Sequence, residues 1–191
     1  GQTERFSIAL VYGNDLDDLI NNKKTVQDIY NSNYRFPPPP KKPTMTAVPG
    51  DGKVTLYWDR VAEESLDPVT KEKDFQGYKI YRATDPNFND VRNITDANGL
   101  IQGYSTLAQF DKKDEINGYF YPSKNLFQDT KGYSFYLGDD SGLVHSYIDR
   151  DVQNGRTYYY ALVAYDHGDE EKDIFPSENS KFISVLPTGQ I

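Results

Sequence analysis

The stretch GRTYYYALVAYD, residues 155–166, decides how the chain is read. Three consecutive tyrosines run directly into Ala-Leu-Val-Ala, with no charge between Arg156 and Asp166. Aromatic and β-branched residues in such a run favour a pleated, packed surface over a loop. Taken alternately, Tyr158, Tyr160, Leu162 and Ala164 fall on one face, and Tyr159, Ala161, Val163 and Tyr165 on the other. The stretch reads as a buried strand that opens just after the turn Gln153-Asn154-Gly155.

Working outward, the chain stays β-like from Pro43 onward. TMTAVPGDGKVTLYWD, residues 44–59, predicts two strands around a turn at Pro49-Gly50-Asp51-Gly52, with Val54, Leu56 and Trp58 facing inward. GYKIYRAT, residues 77–84, predicts a third strand carried by Tyr78 and Ile80. LVHSYIDRDV, residues 143–152, predicts another, and SKFISVL, residues 180–186, the last.

In this order the motifs resemble a fibronectin type III domain. The residues that carry the resemblance are Trp58 on the second strand (B), Tyr78 and Ile80 on the third (C), and Gly155, Tyr158, Leu162 and Ala164 at the turn and along strand F. A tyrosine just after the turn matches the tyrosine corner of such sandwiches. The resemblance implies an all-β, immunoglobulin-like β-sandwich over residues 43–191, matched at both ends of 43–187. A usual domain of this kind has about 100 residues, whereas this stretch has about 145. The excess is a long insert between strands C and E, about residues 86–142, in which GYFYP and GYSFYLGDD have the pattern of an extra hairpin. Long loops are uncommon unless functional or internally structured.

The N-terminal part reads differently. Residues 3–12, TERFSIALVY, alternate with period two and predict a strand with Phe6, Ile8, Leu10 and Tyr12 on one face. Asn14 or Asp15 then caps a helix from about Asp15 to Asn31, whose stripe is Leu16, Leu19, Ile20, Lys23, Val26, Ile29 and Tyr30. Residues 1–36 are expected to be the tail of a preceding domain, and the proline-rich residues 37–42 a polyproline II linker. The chain starts at Gly1, so it is read as a piece of something longer, with any address label upstream.

Composition narrows the function. The net charge is -8, which opposes a nucleic-acid partner, because phosphate binding needs clustered Lys and Arg. There is no cysteine, so disulfides, thiolate chemistry and Cys-based zinc sites are excluded. No apolar run approaches the length of a membrane span, so membrane insertion is not expected.

Two acidic segments draw notice. In DPNFNDVRNITD, residues 85–96, Asp85, Asn87 and Asn89 sit at positions 1, 3 and 5 of a calcium-loop spacing, with Asn93 at 9 and Asp96 at 12. Asp90 stands where the loop needs glycine, and Asp96 where a bidentate Glu is usual. The competing reading is an Asx-turn after strand C. DHGDEEKD, residues 166–173, together with Asp149 and Asp151, reads either as a surface cation site or as a solvated loop, and Asp139 and Asp140 likewise. The insert's aromatics, Tyr104, Phe110, Tyr119, Phe120, Tyr121, Phe127, Tyr133, Phe135 and Tyr136, either line up for stacking on sugars or cover the insert's own small core. His145 and His167 lie in separate segments, and no nucleophile elbow, zinc-helix or phosphate-loop motif is present.

The reading that follows is a non-catalytic module of a bacterial secreted or cell-surface multidomain protein, extracellular, acting as spacer and interaction unit. Its expected partners are neighbouring domains of the parent protein, other surface proteins or glycans, through sheet edges or the insert. Self-association through the N-terminal strand is a further expectation. Two alternatives stay open: a carbohydrate-binding or calcium-dependent adhesive module, and an accessory domain of an attached hydrolase.

Overall fold

A computed structural model describes residues 8–31, 38–67, 71–95, 101–121, 134–170, 174–179 and 186–187. The chain divides into two compact units, residues 1–37 with 68–70, and residues 38–67 with 71–191.

Among its described residues the first unit holds one helix, α1 (Leu16–Asn31). Asp15 caps it: its carboxylate accepts the Asp18 N–H at 2.9 Å, satisfying one of the donors a helix start leaves open. Asp18 in turn accepts from the Asn14 N–H at 2.7 Å. Leu16, Leu19, Ile20 and Tyr30 are exposed. The strand expected over residues 3–12 does not form where it is described. Residues 8–13 make no sheet pairing, and Ile8, Leu10 and Tyr12 are exposed. Alternation supplies a face for a strand but no partner, and an unpartnered strand leaves its backbone to water. Residues 3–7 lie outside the described residues.

The second unit is built from antiparallel sheets. One contains β1 (Met45–Gly50), β2 (Lys53–Trp58) and β9 (Ser146–Asp149), in the order β1-β2-β9. The other contains β3 (Phe75–Ala83), β6 (Ala108–Asp111), β10 (Tyr159–Asp166) and β11 (Leu186–Pro187), in the order β11-β10-β3-β6. Two short ribbons complete it: β4 (Ile94–Thr95) with β5 (Ile101–Gly103), and β7 (Gly118–Tyr119) with β8 (Tyr136–Gly138).

The hairpin β1–β2 turns on Asp51-Gly52, with Gly50 opposite Lys53. Gly52, the second of the two turn residues, has φ 60°, a left-handed conformation that glycine takes without a Cβ clash. Val54, Leu56 and Trp58 face the second sheet and are buried with Tyr78, Ile80, Tyr158, Tyr160, Leu162 and Ala164 in one core. Trp58 and Tyr78 meet edge to face at 5.8 Å. The two sheets thus pack through alternate residues of each strand, the arrangement of an all-β sandwich.

The opposite face of β10 is buried as well. Ala161 and Val163 pack with Tyr81, Ala83 and Phe88, while Tyr165 packs with Phe120, Phe135 and Leu137. The cover comes from the long segment between β3 and β9. Its first lobe, described over residues 84–95 and 101–107, supplies Phe88, Val91 and Tyr104. Its second lobe, described over residues 112–121 and 134–145, supplies Ile116, Phe120, Phe135 and Leu137. Between the lobes, β6 is a member of the second sheet, paired Gly77↔Asp111 through Ile80↔Ala108. The insert is therefore two lobes around a structural strand rather than one excursion. The pairing of β7 with β8 joins GYFYP to GYSFYLGDD. Of the segment 143–152, only Ser146–Asp149 forms the strand, extended by the Trp58 N–H to the His145 carbonyl at 3.1 Å.

The end of the proline run belongs to this unit. Pro40 and Pro43 are buried, and the Pro40 carbonyl accepts the Asn179 amide. Of the last predicted strand, residues 180–185 lie outside the described residues, and Leu186–Pro187 pair with Tyr160 and Tyr159.

Candidate functional site: a tyrosine groove on the outer sheet face

The outer face of the second sheet is covered at both ends and hollow in the middle. Lys79 of β3 lies between Val163 of β10 and Gln109 of β6 in register. Strand alternation turns Lys79 and Tyr81 away from the core that holds Tyr78 and Ile80. The lobes cover Tyr81 and Ala83 on one side and Tyr165 on the other. A groove of about 290 Å³ remains, walled by Tyr104 from the first lobe and by Tyr119 and Tyr136 from the second. Lys79, Gln109 and Glu178 also line it.

The Lys79 ammonium is fixed. It sits 3.6 Å from the centre of the Phe135 ring and 4.7 Å from that of Tyr165, so the negative ring faces stabilise the charge. It pairs with Glu178 at 3.5 Å, and the Tyr81 hydroxyl donates to Glu178 at 3.2 Å. Gln109 donates its amide to the Tyr165 hydroxyl at 2.8 Å, and that hydroxyl donates to the Leu137 carbonyl. Burial pushes the Tyr165 hydroxyl pKa far up, so it stays a neutral donor. Tyr119 and Tyr136 meet at 5.1 Å with a 55° tilt. A hydrogen bond to Asp139, with burial, pushes the Tyr136 hydroxyl up to about 12.

The groove sorts the insert's aromatics. Phe120 and Phe135 are buried, and Phe110 packs against the main core, so these rings fill the protein itself. Tyr119 and Tyr121 are exposed, while Tyr104 and Tyr136 are half-buried. Phe127 and Tyr133 lie outside the described residues. A larger hollow of about 470 Å³ lies where β3 ends and β10 begins, lined by Arg82, Thr84, Asp90, Asp151, Arg156 and Tyr158. Three of its charges are committed to the fold, and the exposed Arg156 guanidinium lies 5.7 Å from the centre of the Tyr158 ring. Arg82 holds Asp149 at 3.0 Å and Asp151 at 2.9 Å, while Asp90 accepts the Thr84 N–H and hydroxyl at 2.7 and 2.9 Å.

The acidic candidates are placed as follows. Asp85 accepts the N–H groups of Asn87 and Asn89 at 3.3 and 3.1 Å and the Asn89 amide at 2.6 Å, which is an Asx-turn. These bonds, the Asn89 N–H first, lower its pKa. Asn87 and Asn89 are exposed, and Asp96 lies outside the described residues. Asp149 and Asp151 do not join Asp166. Asp149 accepts from Arg82 and from the Tyr160 hydroxyl at 2.7 Å, whereas Asp166 is six residues farther along β10, about 20 Å at strand rise. Asp166 is buried and ties its loop through the Ser177 N–H at 2.8 Å and the Gly168 N–H at 3.1 Å. Asp140 takes the N–H groups of Asp114 and Glu115 at 3.1 and 3.0 Å. Among the described residues no three His, Cys, Asp or Glu side chains form a group that could hold a metal.

His145 approaches Glu63 at 2.5 Å, and the same carboxylate oxygen accepts the Tyr78 hydroxyl at 3.0 Å. His167 turns its ring to the Gly168 carbonyl at 2.6 Å. Gly155 has φ 81° in the turn, and the Tyr158 hydroxyl accepts the Gln153 N–H at 3.0 Å. Sequence reasoning missed Lys79 and Glu178. Period-two alternation marks Lys79 as an outward residue, which ordinarily means solvent, and nothing local says that the insert folds back over it.

No family model, no curated protein and no solved structure matches this chain. Among the described residues no helix is long and apolar enough to cross a membrane.

Proposed function

We propose that the second unit is a non-catalytic fibronectin type III-like module of a bacterial secreted or cell-surface protein, acting as spacer and interaction unit, with the tyrosine groove as its contact site. The observation that carries this reading is the two-lobed insert. It covers the outer face of the second sheet at both ends and leaves a groove with convergent aromatic and polar side chains between them. Such concave sites, few per protein and built on a rigid scaffold, are where ligands bind.

The strand orders β1-β2-β9 and β11-β10-β3-β6 and the Tyr158–Gln153 bond support the family resemblance. The non-catalytic reading is supported by the carboxylates Asp111, Asp149 and Asp166, each of which is buried and taken up by hydrogen bonds of the fold. The test is a fragment screen by amide-resolved NMR on the folded chain, using a chemically mixed set of sugars, amides, amines and aromatic acids. Weak hits gathering on Gly103, Tyr104, Gln109 and Tyr119 are expected. Hits gathering elsewhere, with that region unmoved, overturn the reading.

A further inference from the structure

The groove's chemistry narrows its ligand, and we infer that it is a subsite for a neutral saccharide ring of an uncharged polysaccharide; this rests on the groove being the contact site proposed above. Four observations converge.

The first is the arrangement of rings. Tyr119 and Tyr136 both line the groove, their ring centres 5.1 Å apart at a 55° tilt. From the other lobe comes Tyr104, held edge-on against Tyr81 at 6.1 Å. Tyr119 is 52% exposed although it touches another aromatic ring. The C–H face of a pyranose is apolar and slightly positive, which suits the negative face of an aromatic ring.

The second is charge. The cation and the anion at the groove, Lys79 and Glu178, are paired with one another at 3.5 Å. A phosphate or uronate would meet a paired lysine and a chain of net charge -8. A cationic ligand would find Glu178 already engaged by Lys79 and by the Tyr81 hydroxyl.

The third is the hydrogen-bonding inventory. Thr106 and Ser134 line the groove with two hydroxyls, groups that both donate and accept and so match the hydroxyls of a sugar, while Gln109, whose amide already donates to the Tyr165 hydroxyl and the Tyr136 carbonyl, has its carbonyl oxygen left to accept. The fourth is what is scarce. Among the described lining residues the only aliphatic side chain is Ile94, so an amphipathic peptide helix, which needs an apolar trough, finds little to bury against. A volume of about 290 Å³ lies at the small end of ligand sites and suits one ring of a chain that passes across it.

The test is isothermal titration of the folded chain with cellohexaose, xylohexaose, laminarihexaose and mannohexaose, and with polygalacturonate as the charged counterpart. It is repeated on Tyr119→Ala and Tyr119→Phe, with NMR mapping of any binding. At least one neutral oligosaccharide is expected to bind and to move the amides of Gly103, Tyr104 and Tyr119. Tyr119→Ala should lower its affinity about tenfold or more, while Tyr119→Phe, which keeps the ring, stays within about twofold. Tyr119 is exposed, so neither change should disturb the core.

Three results overturn the inference: no neutral oligosaccharide binds, or binding is indifferent to Tyr119→Ala, or polygalacturonate binds best. If they occur while other fragments still gather in the groove, only the ligand class is wrong. If fragments also avoid the groove, the contact site itself falls.

Discussion

The Tyr158 hydroxyl accepts the backbone N–H of Gln153 at 3.0 Å, so the residue just before β10 also fixes the turn that leads into it. Arg82 and Arg156 lie over the same ring at 5.6 and 5.7 Å. Tyr158→Phe removes the hydroxyl and leaves the part-buried Gln153 N–H without this acceptor. The expected loss is about 1–3 kcal/mol, read as a fall in urea midpoint with an unchanged slope. A midpoint within error of the parent would mean that the bond contributes nothing.

Asp149 is buried and holds three donors: Arg82, the Tyr160 hydroxyl and the Asp151 N–H at 3.0 Å. Asp149→Ala leaves a half-buried guanidinium and a buried hydroxyl facing the gap. The expected cost is about 3–5 kcal/mol, the range for breaking a buried pair from one side. Asp151→Ala, at the exposed end of the same arginine, should cost less than about 1 kcal/mol. Thermal melts of the two variants side by side check the ranking.

Burial pushes the Asp166 carboxyl up to about 6, against hydrogen bonds from Ser177 and Gly168 that act the other way. Burial raises the Asp74 carboxyl as well. A raised carboxyl binds its proton more tightly in the folded state, so stability rises as pH falls through the folded pKa. It is lost again as pH climbs past 6. From pH 7.5 to pH 5 the Asp166 contribution should be a gain of about 1 kcal/mol. Asp166→Asn should flatten this slope, since the amide keeps an oxygen for the two N–H groups and can donate to the Ser177 hydroxyl. Melts of parent and variant at pH 5.0, 6.0 and 7.5 decide it; parallel curves would contradict the assignment.

Asp85 is engaged by the N–H groups of its own loop. Millimolar calcium is therefore expected to leave the melting temperature where excess EDTA leaves it. Asp85→Ala should lower it equally in both. A rise of several degrees with calcium, abolished in Asp85→Ala, would restore the calcium loop.

Much of the sandwich was legible from period-two alternation, because each strand buries one face on a shared core. Val54, Leu56, Trp58, Tyr78, Ile80, Tyr160 and Leu162 were all readable as inward, and all are buried together. The cap of α1 was legible for a local reason, since Asp15 bonds only three residues ahead. What could not be read depends on distant partners. The alternation of residues 3–12 is as regular as that of a true strand, yet residues 8–12 stay unpaired, because pairing requires a neighbour that the pattern does not name.

The site followed the same division. Tyr104, Tyr119 and Tyr136 stood out by composition, but which rings line a groove and which fill a core depends on how the lobes fold back. Phe120 and Tyr119 are adjacent in sequence, yet one is buried and the other exposed. Lys79 and Glu178 are 99 positions apart, and only the return of the chain beside β10 brings them together.

The groove exists only if both lobes hold their places against the outer sheet face. Amide hydrogen exchange on the folded chain tests this most directly. The Ser105 N–H bonds to the Val91 carbonyl at 2.8 Å in the first lobe, and the Phe120 N–H to the Phe135 carbonyl at 2.9 Å in the second. Both are expected to exchange slowly, with protection approaching that of Ile80 and Leu162 in the sandwich. Exchange of both at loop-like rates, while Ile80 and Leu162 stay protected, would mean that the lobes open freely and that the groove is not a preformed site.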